Sequence, residues 1–330
     1  MESISLEAKA KIPSNGLRLT VAHDADEHAA NLSAWSQRYD QLAPGRFVGA
    51  INELWLDQIQ FFLETTSHAL RQSCVVWPDS FWFGLPRCDG AEGSIDSNRL
   101  YDNAIAVKPG SEEFQLITPA SYDIMGIVVK EDTLERYGEA REIRDLPKLL
   151  RQRESLLVDL DQKRYFWSFL DQTLNELAKN PLTAAHKAAF RSLSHDLIDG
   201  LMDLLTGVQP SPAQTTARQN HRRIFARVQE YLFSHQQEAV SVMDLCEQLY
   251  VSRRTLQNCF QDLLEMTPLA YLKFIRLNAV RRELKNPNSL HHTVQDVAAA
   301  WGFWHMGQFS ADYSRLFCER PSEALRSRFL

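Results

Sequence analysis

The chain has 330 residues, 44% of them hydrophobic and 24% charged, with a formal net charge of −6. This is the profile of a globular protein large enough for two domains. No apolar run approaches the ~18 residues of a membrane span, and the polar N-terminus lacks a signal-peptide core, so a cytoplasmic protein without membrane partners is expected. The cysteines, Cys74, Cys88, Cys246, Cys259 and Cys318, are odd in number and show no C-x-x-C spacing. That argues for reduced thiols rather than a disulfide framework or a zinc site.

In chain order, residues 1–30 read as a poorly ordered N-terminus and residues 31–206 as one folded unit. Between 46 and 130 short apolar runs (60–63, 73–77, 114–117, 122–129) alternate with turn signals at Arg87-Cys88-Asp89-Gly90 and Lys108-Pro109-Gly110, the mark of a β-sandwich or barrel. From about 161 the period becomes helical. Phe166, Leu170, Leu174 and Leu177 share one face; after Pro181, so do Phe190, Leu193, Leu197, Leu201 and Leu204. The two predict a helical hairpin that packs on the β unit or on a second subunit. Residues 207–220, GVQPSPAQTTARQN, have a linker composition.

The charge balance changes at that linker. Residues 221–330 carry 14 Lys+Arg against 11 Asp+Glu, whereas residues 1–220 carry 22 against 31. A positive C-terminal part can approach a polyanion that the acidic N-terminal part would repel. The C-terminal part reads as all helix: 224–233; a helix after Ser241 burying Val242, Leu245 and Leu249; one capped by Ser252; a long helix from Thr267-Pro268 to Leu284; a short one after Thr293; and a last from His305 to Leu316.

Within it one pattern occurs twice. Leu256, Phe260, Leu263 and Leu264 form an apolar stripe, and Phe309, Tyr313, Leu316 and Phe317 repeat it 53 positions later. Each stripe follows a shorter helix and a tight connection. Two equal helix-turn-helix units, about 241–264 and 293–317, suit a partner that presents the same feature twice. Duplex DNA is such a partner, because its major groove returns on one side every ~34 Å. Opposite the first stripe stand Arg254, Gln257, Asn258 and Gln261, side-chain types that make bidentate contacts to guanine and adenine edges, with Arg253 placed for a phosphate. A solvated polar face on a bundle helix is the competing reading.

These stretches, LCEQLYVSRRTLQNCF (245–260), IRLNAVRREL (275–284) and VAAAWGFWHMGQFSADYSRLFCERPSEAL (297–325), resemble the AraC/XylS family of transcriptional regulators. The resemblance implies an α+β protein: an N-terminal cupin-like β-barrel or sandwich with a helical hairpin, for effector sensing and dimerisation, then an all-α DNA-binding domain over 221–330. It implies Arg254, Gln257 and Asn258 as base-contacting candidates on the first recognition helix, and Met306, Gly307 and Gln308, behind His305, on the second. Met306 and Gly307 cannot form bidentate hydrogen bonds, so the second helix is expected to position the backbone and touch thymine methyls. His305 is expected to be a cap or phosphate contact, and Trp301 and Trp304 are open between core and surface.

Residues 35–49 and 69–86 are further similar to those regulators of the family that activate ethanolamine-utilisation operons. That likeness implies promoter DNA and RNA polymerase as partners, a possible homodimer, ethanolamine and adenosylcobalamin as effectors, and no catalytic cofactor. A pocket for a small organic cation would use aromatic faces beside a carboxylate. The candidates in sequence are Trp77, Asp79, Phe81 and Trp82, with Glu53 and Asp57; Trp77, Phe81 and Phe83 equally suit plain barrel filling. Arg71 suits an acidic ligand group or a surface pair. No D-x-H-x-x-G motif points to a corrinoid contact.

Three rivals remain. A cupin-type enzyme needs several histidines around a metal, but residues 46–130 contain only His68, and no H-E-x-x-H, G-x-S-x-G or G-x-x-x-x-G-K-[ST] occurs. A regulator of another amine, amino-acid or aromatic catabolic operon keeps the fold and changes the ligand. A DNA-binding protein without effector would use the N-terminal part only to dimerise.

Overall fold

The computed structural model describes residues 16–180, 187–208, 216–235 and 238–328. The chain divides into two compact units. The first comprises Met1–Tyr39, Val48–Ser67 and Gln72–Ser211; the second comprises Asp40–Phe47, His68–Arg71 and Pro212–Leu330.

The first unit holds β1 (Gly16–Ala22), α1 (Ala25–Ala30), most of β2 (Ser36–Gln41), β3 (Gly49–Leu56), β4 (Ile59–Thr66), most of β5 (Leu70–Val75), β6 (Ser80–Pro86), β7 (Gly93–Ile95), β8 (Asn98–Leu100), β9 (Ala104–Pro109), β10 (Glu113–Thr118), β11 (Tyr122–Lys130), α2 (Glu131–Ala140), α3 (Leu146–Arg151), β12 (Ser155–Leu157), α4 (Leu160–Lys179) and α5 (Lys187–Thr206). Residues 16–30, expected to be poorly ordered, thus hold a strand and a helix. β1 pairs antiparallel with β3, Gly16 opposite Trp55 and Ala22 opposite Gly49. Asp24 caps α1 by accepting from the Asp26 and Glu27 amides. Residues 1–15 lie outside the described part.

The strands form a seven-stranded sheet, β1-β3-β4-β11-β6-β9-β12, and a five-stranded sheet, β2-β5-β10-β7-β8. They face each other as a sandwich: Trp82 of β6 stacks on Phe114 of β10 with ring centroids 5.0 Å apart. The outer face of the large sheet buries Phe81, Phe83, Leu85, Ile105, Val107, Met125, Ile127 and Val129 against the hairpin of α4 and α5, through Phe166, Leu170, Leu174, Leu197 and Leu201. Because successive side chains leave a strand on opposite sides, the alternate residues of these strands turn to the sandwich interior, where Trp82, Ile124 and Val128 are buried beside the polar Glu53, Gln60 and Glu64. At Gly126 of β11, opposite Phe62 of β4, an added Cβ would stand 2.1 Å from the Phe62 ring; the close approach explains the glycine.

The second unit is helical: α6 (Thr216–Ser234), α7 (Val242–Leu249), α8 (Arg253–Leu264), α9 (Pro268–Lys285), α10 (Val294–Ala300), α11 (Met306–Phe317) and α12 (Pro321–Ser327). α6 begins at Thr216, so the last residues of the expected linker are helical, and its middle, 209–215, lies outside the described residues. α9 is the spine. It buries Tyr271, Leu272, Leu277, Val280 and Leu284, and these serve two separate packing surfaces. Phe260 of α8 meets Phe225 and Tyr271, each at 5.3 Å. Phe309, Tyr313 and Leu316 of α11 pack on Leu277, Val280 and Leu284.

The two short segments of the second unit are fixed on the same spine. Asn278 of α9 accepts from the Gln41 amide (2.9 Å) and donates to the Gln41 carbonyl (2.9 Å). The Gln41 side chain donates to the Leu316 carbonyl at 3.0 Å. Asp40, 1% exposed, takes Arg71 at 3.1 Å and Arg282 at 2.7 Å. Arg71 is thus a buried cation paired with Asp40, not part of a surface pair. No described helix is long and apolar enough to cross a membrane.

Candidate nucleic-acid interface

The repeat in the sequence is a repeat in backbone geometry. α8 and α11 begin at Arg253 and Met306 and end at Leu264 and Phe317, each pair 53 residues apart. The residues after them, Glu265 and Cys318, both turn left-handed, at φ 54 and 53. The next helices both open on proline, Pro268 and Pro321, again at the same offset. This third correspondence was legible in the sequence, since proline favours the first helical turn.

Local chemistry sets where the helices of each pair start and stop. Ser241 and Asp244 form a capping box on α7, with Asp244 N to Ser241 Oγ at 3.2 Å and Ser241 N to Asp244 Oδ2 at 2.8 Å. Tyr250 closes α7 in the left-handed region, and Ser252 caps α8 by accepting from the Thr255 amide at 3.0 Å. In the second pair Thr293 caps α10. Gly302, at φ +75, makes the turn where an added Cβ would press on Ala239 at 3.0 Å. His305 occupies the cap position of α11 without a side-chain cap bond, so the capping role expected for it is not filled.

On α8, Leu256, Cys259 and Phe260 are buried, and Arg253, Arg254, Gln257, Asn258 and Gln261 are exposed. Burial pushes the Cys259 thiol up to about 12, as for an inert core cysteine. The exposed face has the donor and acceptor inventory for base edges and phosphates.

The α11 surface is chemically different. Met306 is half-buried against the core, and Gly307, Gln308 and His305 are exposed. Asp312 lies under this face. Burial raises its carboxyl, but hydrogen bonds from Gln308 and Lys273 and the charges of Lys273 and Arg315 outweigh that and hold it below the usual carboxylate range. Gln308 is thus close enough to Asp312, one turn along its own helix, to influence its charge.

The six effector candidates do not form one site. Glu53 is 1% exposed and saturated. Arg18 reaches it through Nε (3.0 Å) and Nη2 (2.6 Å), Ser33 through N (3.1 Å) and Oγ (2.9 Å), Trp55 through Nε1 (3.0 Å) and Gln60 through Nε2 (2.7 Å). A carboxylate so paired has no acceptor direction left for an incoming ammonium. Trp77 belongs to the same network, donating to Gln60 Oε1 at 3.0 Å, and Trp82 joins its edge through Trp35 at 5.8 Å. Phe81 is on the other face of β6, in the core under the hairpin. Asp57 and Asp79 sit exposed in turns at φ 49 and 54, conformations that aspartate tolerates.

The sandwich interior contains residues that sequence reasoning missed. Glu64 accepts from the Tyr39 hydroxyl at 2.9 Å and lies 3.0 Å from His28 Nε2; burial first, and the Glu64 charge second, raise the Tyr39 hydroxyl well above its ordinary value. Glu64 follows Gln60 by four positions on one face of β4, and that period-two register was the available signal. Among the described residues no group of three or more His, Cys, Asp or Glu is arranged to hold a metal.

Residues 245–327 match the family model described as a helix-turn-helix domain. This part of the chain is thus a helix-turn-helix domain, and its similarity to AraC/XylS-type regulators runs through named relatives. The probable thc operon regulatory protein of Rhodococcus erythropolis is 37% identical over 98 residues, 30% of this chain and 30% of the relative. The XylDLEGF operon transcriptional activator 3 of Pseudomonas putida is 32% identical over 104 residues, 32% of this chain and 31% of the relative. The chain thus spans about a third of the length of these relatives. The crystal structure of a probable AraC family transcriptional regulator from Rhodopseudomonas palustris shows 27% identity over 32% of this chain and 97% of its own, at a TM-score of 0.30.

Proposed function

We propose that the chain is a sequence-specific, DNA-binding transcriptional regulator of the AraC/XylS type, acting in the cytoplasm on double-stranded promoter DNA. The observation that supports this reading is the 53-residue repeat of helix, left-handed C-cap and proline start shared by α8 and α11, the two recognition helices of the proposal. They enter successive openings of the major groove, α8 through Arg254, Gln257, Asn258 and Gln261, with Arg253 on a phosphate. Met306, Gly307 and Gln308, with His305, form the weaker second reader. Two units of this kind require two groove segments on one side of the duplex.

The N-terminal sandwich serves as a cupin-like sensing and dimerisation module whose effector shifts the chain between arrangements that differ in DNA affinity. Ethanolamine with adenosylcobalamin, and activation through RNA polymerase, rest on sequence resemblance alone. The saturation of Glu53 favours another effector chemistry, as in a regulator of a different catabolic operon. Calorimetric titration with ethanolamine and related amines, with and without adenosylcobalamin, separates the two.

The DNA reading is tested by enriching bound duplexes from a random-sequence pool with the full chain. Arg254→Ala is expected to cost about 1–3 kcal/mol on the enriched duplex and to relax preference at one base pair. Arg253→Ala is expected to weaken all duplexes alike and flatten the salt dependence. A pool that returns no preferred sequence ends this reading.

A further inference from the structure

We infer that Trp304 is the specificity-determining residue of the second recognition helix, its indole packing on the C5-methyl group of a thymine. The inference rests on the DNA-reading function above and assigns its second half to a side chain outside the helix proper.

Trp304 is 76% exposed, although its neighbours are anchored. Phe303 is half-buried, 5.2 Å from the Phe309 ring and beneath the Arg276 guanidinium at 5.2 Å. The Phe303 amide donates to the Ala298 carbonyl at 2.9 Å, and the His305 carbonyl accepts from Phe309 at 2.9 Å. The indole thus projects from a fixed turn, two residues before α11 begins.

Its place relative to the helix gives it a role. Residues 307, 308, 311 and 315 share one exposed face of α11, and Trp304 is exposed in the turn just before that helix. Along that stripe Gly307 and Ala311 have no group that can bond a base, and a Cβ built at Gly307 meets nothing within 4 Å. Gln308 lies one turn before the buried Asp312 and helps to hold its carboxyl low. The stripe is smooth enough for close approach to the groove floor, and the turn that leads into the helix carries one large apolar ring. The only apolar feature that the major groove offers is the thymine methyl, and an aromatic face supplies the area to cover it. Arg315 closes the other end of the stripe as an exposed cation. The counterpart of Trp304 in the first unit, 53 positions earlier, is Val251, half-buried and too short for this task. The two units thus read by different chemistry, α8 by hydrogen bonds and α11 by apolar contact.

The test uses the full chain and a duplex enriched from the random pool. Each thymine is replaced singly by uracil, which removes only the methyl, and affinity is measured for the wild type, Trp304→Ala and Trp304→Phe. Within the half-site that Arg254→Ala leaves unchanged, the wild type is expected to lose about fourfold at one thymine, the value of one buried carbon. Trp304→Ala is expected to bind at least that much more weakly and to show no further loss at the same thymine; Trp304→Phe keeps part of both. Wild-type affinity in Trp304→Ala, an undiminished uracil penalty in either variant, or no sensitive thymine in that half-site overturns the inference. A pool without any preferred sequence instead removes the DNA reading beneath it.

Discussion

Glu53 shows how a carboxylate can look like a ligand group in sequence and be a structural one in space. Its partners come from Arg18, Ser33, Trp55 and Gln60, and the first two are 35 and 20 residues away. Nothing local to β3 announces them. Glu53→Gln replaces an acceptor-only group by an amide that accepts on one side, leaving buried donors unpaired; a loss of about 2–4 kcal/mol in denaturant unfolding is expected. A loss within experimental scatter would mean that Glu53 is not held as described. Lys163 is a second buried charge, fully inside and donating to the Asp102 and Ala104 carbonyls at 2.7 and 2.8 Å. Burial lowers its pKa from 10.5 to about 8. The unfolded chain keeps that proton up to about 10.5 and the folded chain only to about 8, so the unfolded state binds more protons between those values. This group therefore adds stability as pH rises through that window and adds no slope outside it. The melting temperature of Lys163→Met, followed from pH 8 to 10.5, is expected to lack the rise; parallel curves for both proteins would refute it.

Elements differ in how much of them could be read from sequence, and the difference is physical. α4, α5, α8 and α11 each bury one face, and their 3.6-residue period is local, so their apolar stripes predicted which side packs. β6 reads SFWFGLP and is buried at every position. With both faces apolar there is no alternation to tell Phe81 from Trp82, and the two fall on opposite sides of the sheet. β1 carries a strand signal that the sequence reading passed over: Leu17, Leu19 and Val21 alternate with polar residues, although Leu19 and Val21 end up exposed. At helix ends the signals are covalent neighbours. Ser252 caps α8 at 3.0 Å, and Ser252→Ala should cost about 1 kcal/mol and fray the turn that holds Arg253 and Arg254. Faster amide exchange at residues 253–255 with the rest of α8 protected is the expected signature; uniform protection would argue against it.

At the scale of the whole molecule the linear boundary near 207–220 does not describe the second unit, which includes Asp40–Phe47 and His68–Arg71. A fragment of residues 216–330 would lack the partners of Asn278 and Arg282 in that unit. Asn278→Ala is therefore expected to destabilise the full chain by about 1–3 kcal/mol while leaving such a fragment nearly unchanged. Equal losses in both, by calorimetry, would show that the Gln41 pairing carries no stability.

The sequence by itself determined the helical repeat, the caps at Ser241, Ser252 and Thr293, the exposed polar face of α8 and the sign of charge in each part of the chain, because these depend on residues within a turn or two of one another. Tertiary structure alone decided which face of each strand looks inward, that Glu53 is already neutralised by Arg18, that Trp304 stands in solvent, and that residues 40–47 belong with the C-terminal helices. Each of those outcomes depends on groups brought together from distant positions, and pairing over such separations leaves no periodic trace in the chain.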